Sequence, residues 1–176
     1  MKCYVINGVG GCGKDTFVKL CKQHIRPGLC LNISTIDIVK DLATACGWDG
    51  TKTPDNRAYL SELKQILTDY DDLPHKSILQ KIKNFEEHLR NCGLSARCAA
   101  VFIHCREPQE IAKLVRDLNA STILIRREAA ESIEQSNSSD AGVFDYEYDY
   151  IIPNNGTIKD LDCWALNFVE MEGMRC

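Results

Sequence analysis

The stretch "INGVGGCGKDT", residues 6 to 16, decides how the chain folds. Gly8 to Lys14 reads GVGGCGK, which fits the pattern GxxxxGK. Before it lies the β-prone run "KCYVIN" (2–7), and after it "DTFVKLCKQHI" (15–25) places Phe17, Leu20, Cys21 and His24 at helical spacing. Strand, glycine loop and helix in that order are the context of a phosphate-binding loop. Glycines let consecutive backbone N–H groups turn inward around phosphate oxygens, and the helix N-terminus adds positive potential. Lys14 supplies a mobile cation; directly after the last glycine it has no turn-forming role. Gly8, Gly10, Gly11, Cys12, Gly13, Lys14, Asp15 and Thr16 are therefore the candidate nucleotide-binding residues. Asp15 stands where the motif wants serine or threonine, and Thr16 restores a hydroxyl one residue later.

Outward from the loop, strands and helices alternate. "LCLNIST" (29–35) reads as a strand, and Ile36, Val39, Leu42, Ala43 and Cys46 share a helical face that stops at Gly47. A helix from Asp55 to Tyr70 carries Tyr59, Leu60, Leu63, Ile66, Leu67 and Tyr70 as an apolar stripe whose tyrosines are expected in the core, and another after Pro74 carries Ile78, Ile82, Phe85 and Leu89. "CAAVFIHC" (98–105) is apolar until His104, as expected of a central strand covered on both faces. Pro108 suits the first position of the next helix, "STILIR" (121–126) and "YDYIIP" (148–153) read as strands, and Leu161, Trp164, Ala165 and Phe168 close with a helix. The alternation predicts one α/β domain over a parallel five-stranded sheet. Residues 127–145, rich in serine and acids without an apolar period, read as a surface segment.

Composition narrows the function. The chain has 176 residues, 44% hydrophobic, enough for one domain with a sizeable core. A net charge of -4 offers no electrostatic attraction to nucleic acid or an anionic membrane, which leaves a small-molecule substrate as the expected partner. The opening "MKCYVINGVGG" is neither a signal peptide nor a membrane span, so the expected location is the cytoplasm. Its ten cysteines contain no CxxC pair and are expected as free thiols, Cys21, Cys46 and Cys105 within apolar patterns and Cys176 in a frayed tail.

The spacing GxxGxGKxT resembles the adenylate-kinase class of nucleoside monophosphate kinases. GKDT (13–16) in particular resembles the phage and bacterial deoxynucleoside monophosphate kinases and the animal-type phosphomevalonate kinases. "STIDIVKDLATACGWDG" (34–50), "DNRAYLSELKQ" (55–65), "FIHCREPQEI" (102–111), "LIRR" (124–127) and "DYIIPNNGT" (149–157) are similar to segments of bacterial proteins akin to those deoxynucleotide kinases. The resemblance implies a three-layer P-loop kinase domain spanning 1–176. It places a helical acceptor-binding insertion at about 36–95 and a short lid at about 127–145, with ATP and Mg²⁺ as cofactors and a monomer or homodimer as the assembly. Phosphomevalonate and dephospho-coenzyme A are alternative acceptors, and a module that binds nucleotide without turnover is the rival outside enzymes.

The resemblance also assigns roles. Arg57, Ser61 and Lys64 share a helix face opposite Leu60, Leu63 and Leu67, and neither Arg57 nor Lys64 has an acid three or four residues away, so acceptor phosphate is the expected partner. Asp37 is a further acceptor-site candidate. Arg106, Arg126 and Arg127 end strands at one sheet edge and are expected, with Lys14, to clamp the transferring phosphoryl group. Asn155 and Gly156 fall in the loop whose backbone reads the purine in this class. His104 stands where related kinases often carry aspartate, which makes Asp15 the candidate Mg²⁺ ligand and Glu107 a second acid.

Overall fold

A computed structural model describes residues 1–132 and 142–175. The elements run β1 (Lys2–Asn7), α1 (Lys14–His24), β2 (Cys30–Ser34), α2 (Asp37–Ala45), α3 (Pro54–Asp71), α4 (Leu73–Asn91) and β3 (Ala100–His104). They continue with α5 (Pro108–Leu118), β4 (Ser121–Arg126), α6 (Glu128–Glu131), β5 (Tyr150–Pro153) and α7 (Ile158–Met171). The five-stranded sheet has the order β2-β3-β1-β4-β5, with every pair parallel.

Alternation along the strands creates the three layers. Tyr4 and Ile6 of β1 face α1 and α7, where they pack with Phe17, Phe102 and Phe168; Cys3 and Val5 face α4 and α5, where they meet Ile78, Ile111 and Leu114. The Tyr4 ring lies 5.4 Å from Phe102 and 5.0 Å from Phe168, centroid to centroid. Ala100 to Ile103 are fully buried, as the apolar run of β3 leads one to expect for a strand inside the sheet. Because β1 connects to β2 on one side and β3 crosses to β4 on the other, a crevice opens between the C-terminal ends of β1 and β3. Open α/β sheets bind ligands at such a point.

Three expectations need correction. No residue of α3 is buried; Ile66 is 63% and Tyr70 84% exposed, because α3 lies over the crevice instead of on the sheet. Cys46 is exposed and Cys98 is disulfide-bonded, so the thiols are not uniformly free, buried groups. Within 127–145, α6 is helical and Ala130 and Val143 are buried, so its two ends pack on the domain; residues 133–141, and Cys176, lie outside the described residues. Among the described residues no helix is long and apolar enough to cross a membrane.

Candidate active site

The glycine loop is shaped by conformations that side chains resist. Gly8 has φ +145°, and a Cβ there would lie 2.5 Å from the Ile125 carbonyl oxygen and 2.6 Å from Cys12 Sγ. Gly13, at φ 103°, is the residue that opens α1 and brings no capping side chain, and a Cβ on it would collide with Asn154 Nδ2. Gly11, at φ 77°, and Gly10 form the outer arc, and the Cys12 amide closes it by donating to Val9 O at 3.3 Å. Lys14 Nζ donates to Gly8 O at 2.5 Å and to Val9 O at 3.0 Å, which folds the ammonium back over its own loop. Cys12 is fully buried and its thiol pKa is raised by that burial, with Lys14 and Arg106 pulling the other way.

Asp15 lies in the first turn of α1 with its side chain 95% exposed, and Oδ1 is 3.7 Å from His104 Nε2. His104 also meets Asn32 Oδ1 at 2.9 Å. Burial lowers the His104 pKa, and the nearby Lys14 adds to this against the opposing pull of Asp15, so the imidazole is neutral at pH 7. It adds no charge to the end of β3 and leaves the Asp15 carboxylate available as a hard oxygen ligand.

Beside the loop lies a cavity of about 1120 Å³, lined by residues from both expected halves of the site: Lys14, Asp15 and Arg106 on one side and Asp37, Arg57, Ser61 and Lys64 on the other. Leu60 lines it too, so the apolar and basic faces of α3 are not back to back. Asp37 accepts the Ser34 amide at 2.9 Å and pairs with Lys81 of α4 at 3.1 Å, which ties α2 to its neighbours.

Lys64 departs from expectation. Its Nζ is 2.7 Å from both Glu107 and Glu110 of α5, so the partner that α3 itself lacks is supplied by another helix. Burial lowers the Lys64 pKa, but Glu110 and Glu107 more than offset this and hold it raised, so Lys64 stays charged. Glu107, expected mainly as a helix-start residue, precedes α5 without a side-chain cap bond and spends its carboxylate on Lys64.

The arginines do not converge as a trio. Arg106 lines the cavity, whereas Arg126 forms a two-pronged pair with Glu131 at 3.0 and 2.7 Å and sits 5.4 Å from the Phe144 ring centroid. Arg127 is exposed at the start of α6. At the last turn, the Asn155 side chain accepts the Glu128 amide and donates to Glu128 Oε1, both at 2.9 Å, and Gly156 lies against Asp160, whose carboxylate caps α7. The Asn155 side chain is thus committed to the protein.

Sequence reasoning missed Asn7, Asn32, Tyr148 and Asn154. The Asn154 Nδ2 donates to Cys12 O at 2.8 Å, and Asn7 joins the loop to two other segments. Single asparagines and a tyrosine carry no periodic signal, and their partners are remote in sequence.

The donor set suits a polyphosphate and its metal. Positive-φ glycines, the uncapped N-terminus of α1 and Lys14 offer donors and charge to phosphate oxygens, while Asp15, on the cavity wall, offers oxygen to a hard divalent cation. No protein-family model and no curated protein matches the chain. Among solved structures it is similar to a sugar kinase from Janibacter sp., crystallised without ligand, at 12% identity and TM-score 0.50, with 100% of this chain and 99% of that one covered. It also matches the APS kinase of Mycobacterium tuberculosis at 12% identity and TM-score 0.43, over 96% of each chain. The chain has the α/β fold of the sugar kinase.

Proposed function

We propose that the protein transfers a phosphoryl group from ATP, with Mg²⁺, to a nucleoside or deoxynucleoside monophosphate. The observation that carries this reading is one shared cavity onto which Lys14 and Asp15 open from the phosphate loop and Arg57 and Ser61 from α3. Its volume, about 1120 Å³, suits an acceptor of nucleotide size beside the donor phosphates.

Phosphoryl transfer requires alignment and charge neutralisation more than covalent chemistry from the protein. Loop amides and Lys14 orient the donor phosphates, Arg106 stabilises charge that develops on the transferred group, and Arg57 with Ser61 holds the acceptor. Asp15 would hold Mg²⁺, which when bound neutralises phosphate charge. Lys64, locked between two carboxylates, orients α3 over the cavity and acts on the acceptor through that placement. Arg126 reaches the phosphates only if its Glu131 pair opens, and Arg127, exposed at the start of α6, completes the clamp. Backbone groups at Asn155 and Gly156 read the purine, and the expected lid, whose residues 133–141 lie outside the described residues, would shield the site from water.

His104 in place of an acid favours a second reading, a module that binds nucleotide without turnover. ADP formation measured with and without a panel of nucleoside monophosphates, phosphomevalonate and dephospho-coenzyme A separates the two. Acceleration by a monophosphate supports the kinase; acceleration by another panel member moves the acceptor; tight ATP binding with no acceleration by any of them refutes the kinase in favour of the module.

A further inference from the structure

Asn7 occupies the point where two loop systems part. Backbone pairing of β1 with β3 runs as far as Ile6 opposite His104, ending with the Cys105 amide donating to Ile6 O at 3.3 Å. Past that bond the chains diverge, one into the phosphate loop and the other into the turn bearing Arg106. The Asn7 side chain continues the bridge where the backbone cannot. Its Oδ1 accepts the Gly8 amide at 2.8 Å, and its Nδ2 donates to Arg106 O at 3.1 Å and to Tyr148 Oη at 2.8 Å. Tyr148 passes the connection on by donating to Val143 O at 2.8 Å.

Asn7 is fully buried, and a buried amide is tolerable only when its donors and acceptor are matched. The β1 core itself requires only an apolar side chain at this position. What the amide adds is a cross-link among chain segments distant in sequence, two of which carry cations that line the same cavity. Lys14 and Arg106 also act on one and the same loop atom, each drawing the Cys12 thiol pKa down against its burial.

We infer that Asn7 is a positioning residue that holds the Arg106 turn in register with the phosphate loop, so that Arg106 and Lys14 engage one polyphosphate together. The inference rests on the proposed function for the identity of that polyphosphate, and its test reads binding without turnover. A carboxylate at position 7 keeps the size of the amide but removes its donors and places negative charge against the Arg106 carbonyl.

The experiment is a double-mutant cycle on MgATP affinity, by titration calorimetry, over the wild type, R106A, N7D and N7D/R106A. R106A is expected to weaken MgATP by about tenfold or more, the scale of a lost charged hydrogen bond. In the N7D background the same change is expected to cost less than about twofold, because Arg106 is already out of register. Y148F leaves the Asn7 bonds to Gly8 and Arg106 in place and should keep most of the R106A effect. If N7D does not fold, N7S replaces it, since serine is too short to span both loops.

Equal costs of R106A in the two backgrounds, or no cost in the wild type, overturn the inference. An active cycle in a protein that never phosphorylates an acceptor removes the proposed kinase and keeps the role of Asn7. Absence of MgATP binding by the wild type removes both.

Discussion

Gly13→Ala tests the loop most directly, because its cost divides into parts that can be measured apart. Alanine at φ 103° pays the left-handed penalty of an L-residue, about 1–2 kcal/mol. Its Cβ also collides with Asn154 Nδ2, which must then release Cys12 O, now held at 2.8 Å. Losing that bond costs about 1 kcal/mol more. The expected destabilisation is about 2–3 kcal/mol, a large share of the few kcal/mol by which domains are stable. In an Asn154→Ala background the collision is gone and the bond already lost, so Gly13→Ala should cost only the backbone part, about 1–2 kcal/mol. Urea unfolding of the wild type, both single variants and the double variant gives the coupling, expected at about 1 kcal/mol. Strict additivity, or a cost for Gly13→Ala below about 0.5 kcal/mol, would refute the close packing of Asn154 on the loop.

The remaining predictions concern chemistry and pH. Lys14→Ala should abolish ADP formation in a variant that still unfolds cooperatively, and turnover within about tenfold of wild type would remove Lys14 from the chemistry. Asp15→Ala should raise the Mg²⁺ concentration needed for half-maximal rate more than it weakens nucleotide binding; an unchanged Mg²⁺ titration takes Asp15 out of the metal site. Arg57→Ala should raise the acceptor KM chiefly, in steady-state kinetics, and a selective effect on ATP contradicts its assignment. Glu172 governs an acid limb: burial raises its pKa, but hydrogen bonds from Lys2, Tyr150 and Tyr4 more than offset this and hold it below 4.5. The stability from those bonds is present above the unfolded value and lost as pH falls through the lower folded one, so thermal midpoints below pH 4.5 should fall more steeply in the wild type than in Glu172→Gln.

Much of the molecule is legible in the chain because it rests on local rules. GVGGCGK between an apolar run and a helical period specifies strand, loop and helix, and the positive-φ glycines 8, 11 and 13 stand where the motif puts them. The uninterrupted apolar run of β3 marks a buried internal strand. Helix α3 is the instructive failure. Its leucines and tyrosines carry a helical period that reads as a core stripe, yet no α3 residue is buried, since periodicity reports a helix without saying what, if anything, covers it.

The sequence by itself determined the elements, the parallel sheet and the place of the phosphate loop, because propensity, hydrophobic period and glycine conformation act over a few residues. Tertiary structure alone decided which charges answer one another. Lys64 lacks an acid within its own helix and finds Glu107 and Glu110 across the crevice; Arg126 turns to Glu131; Asn7 and Asn154 tie the loop to segments about a hundred or more residues away. A side-chain partner brought in by the fold leaves no trace in spacing, since the energy of the contact depends on distance in space and not along the chain.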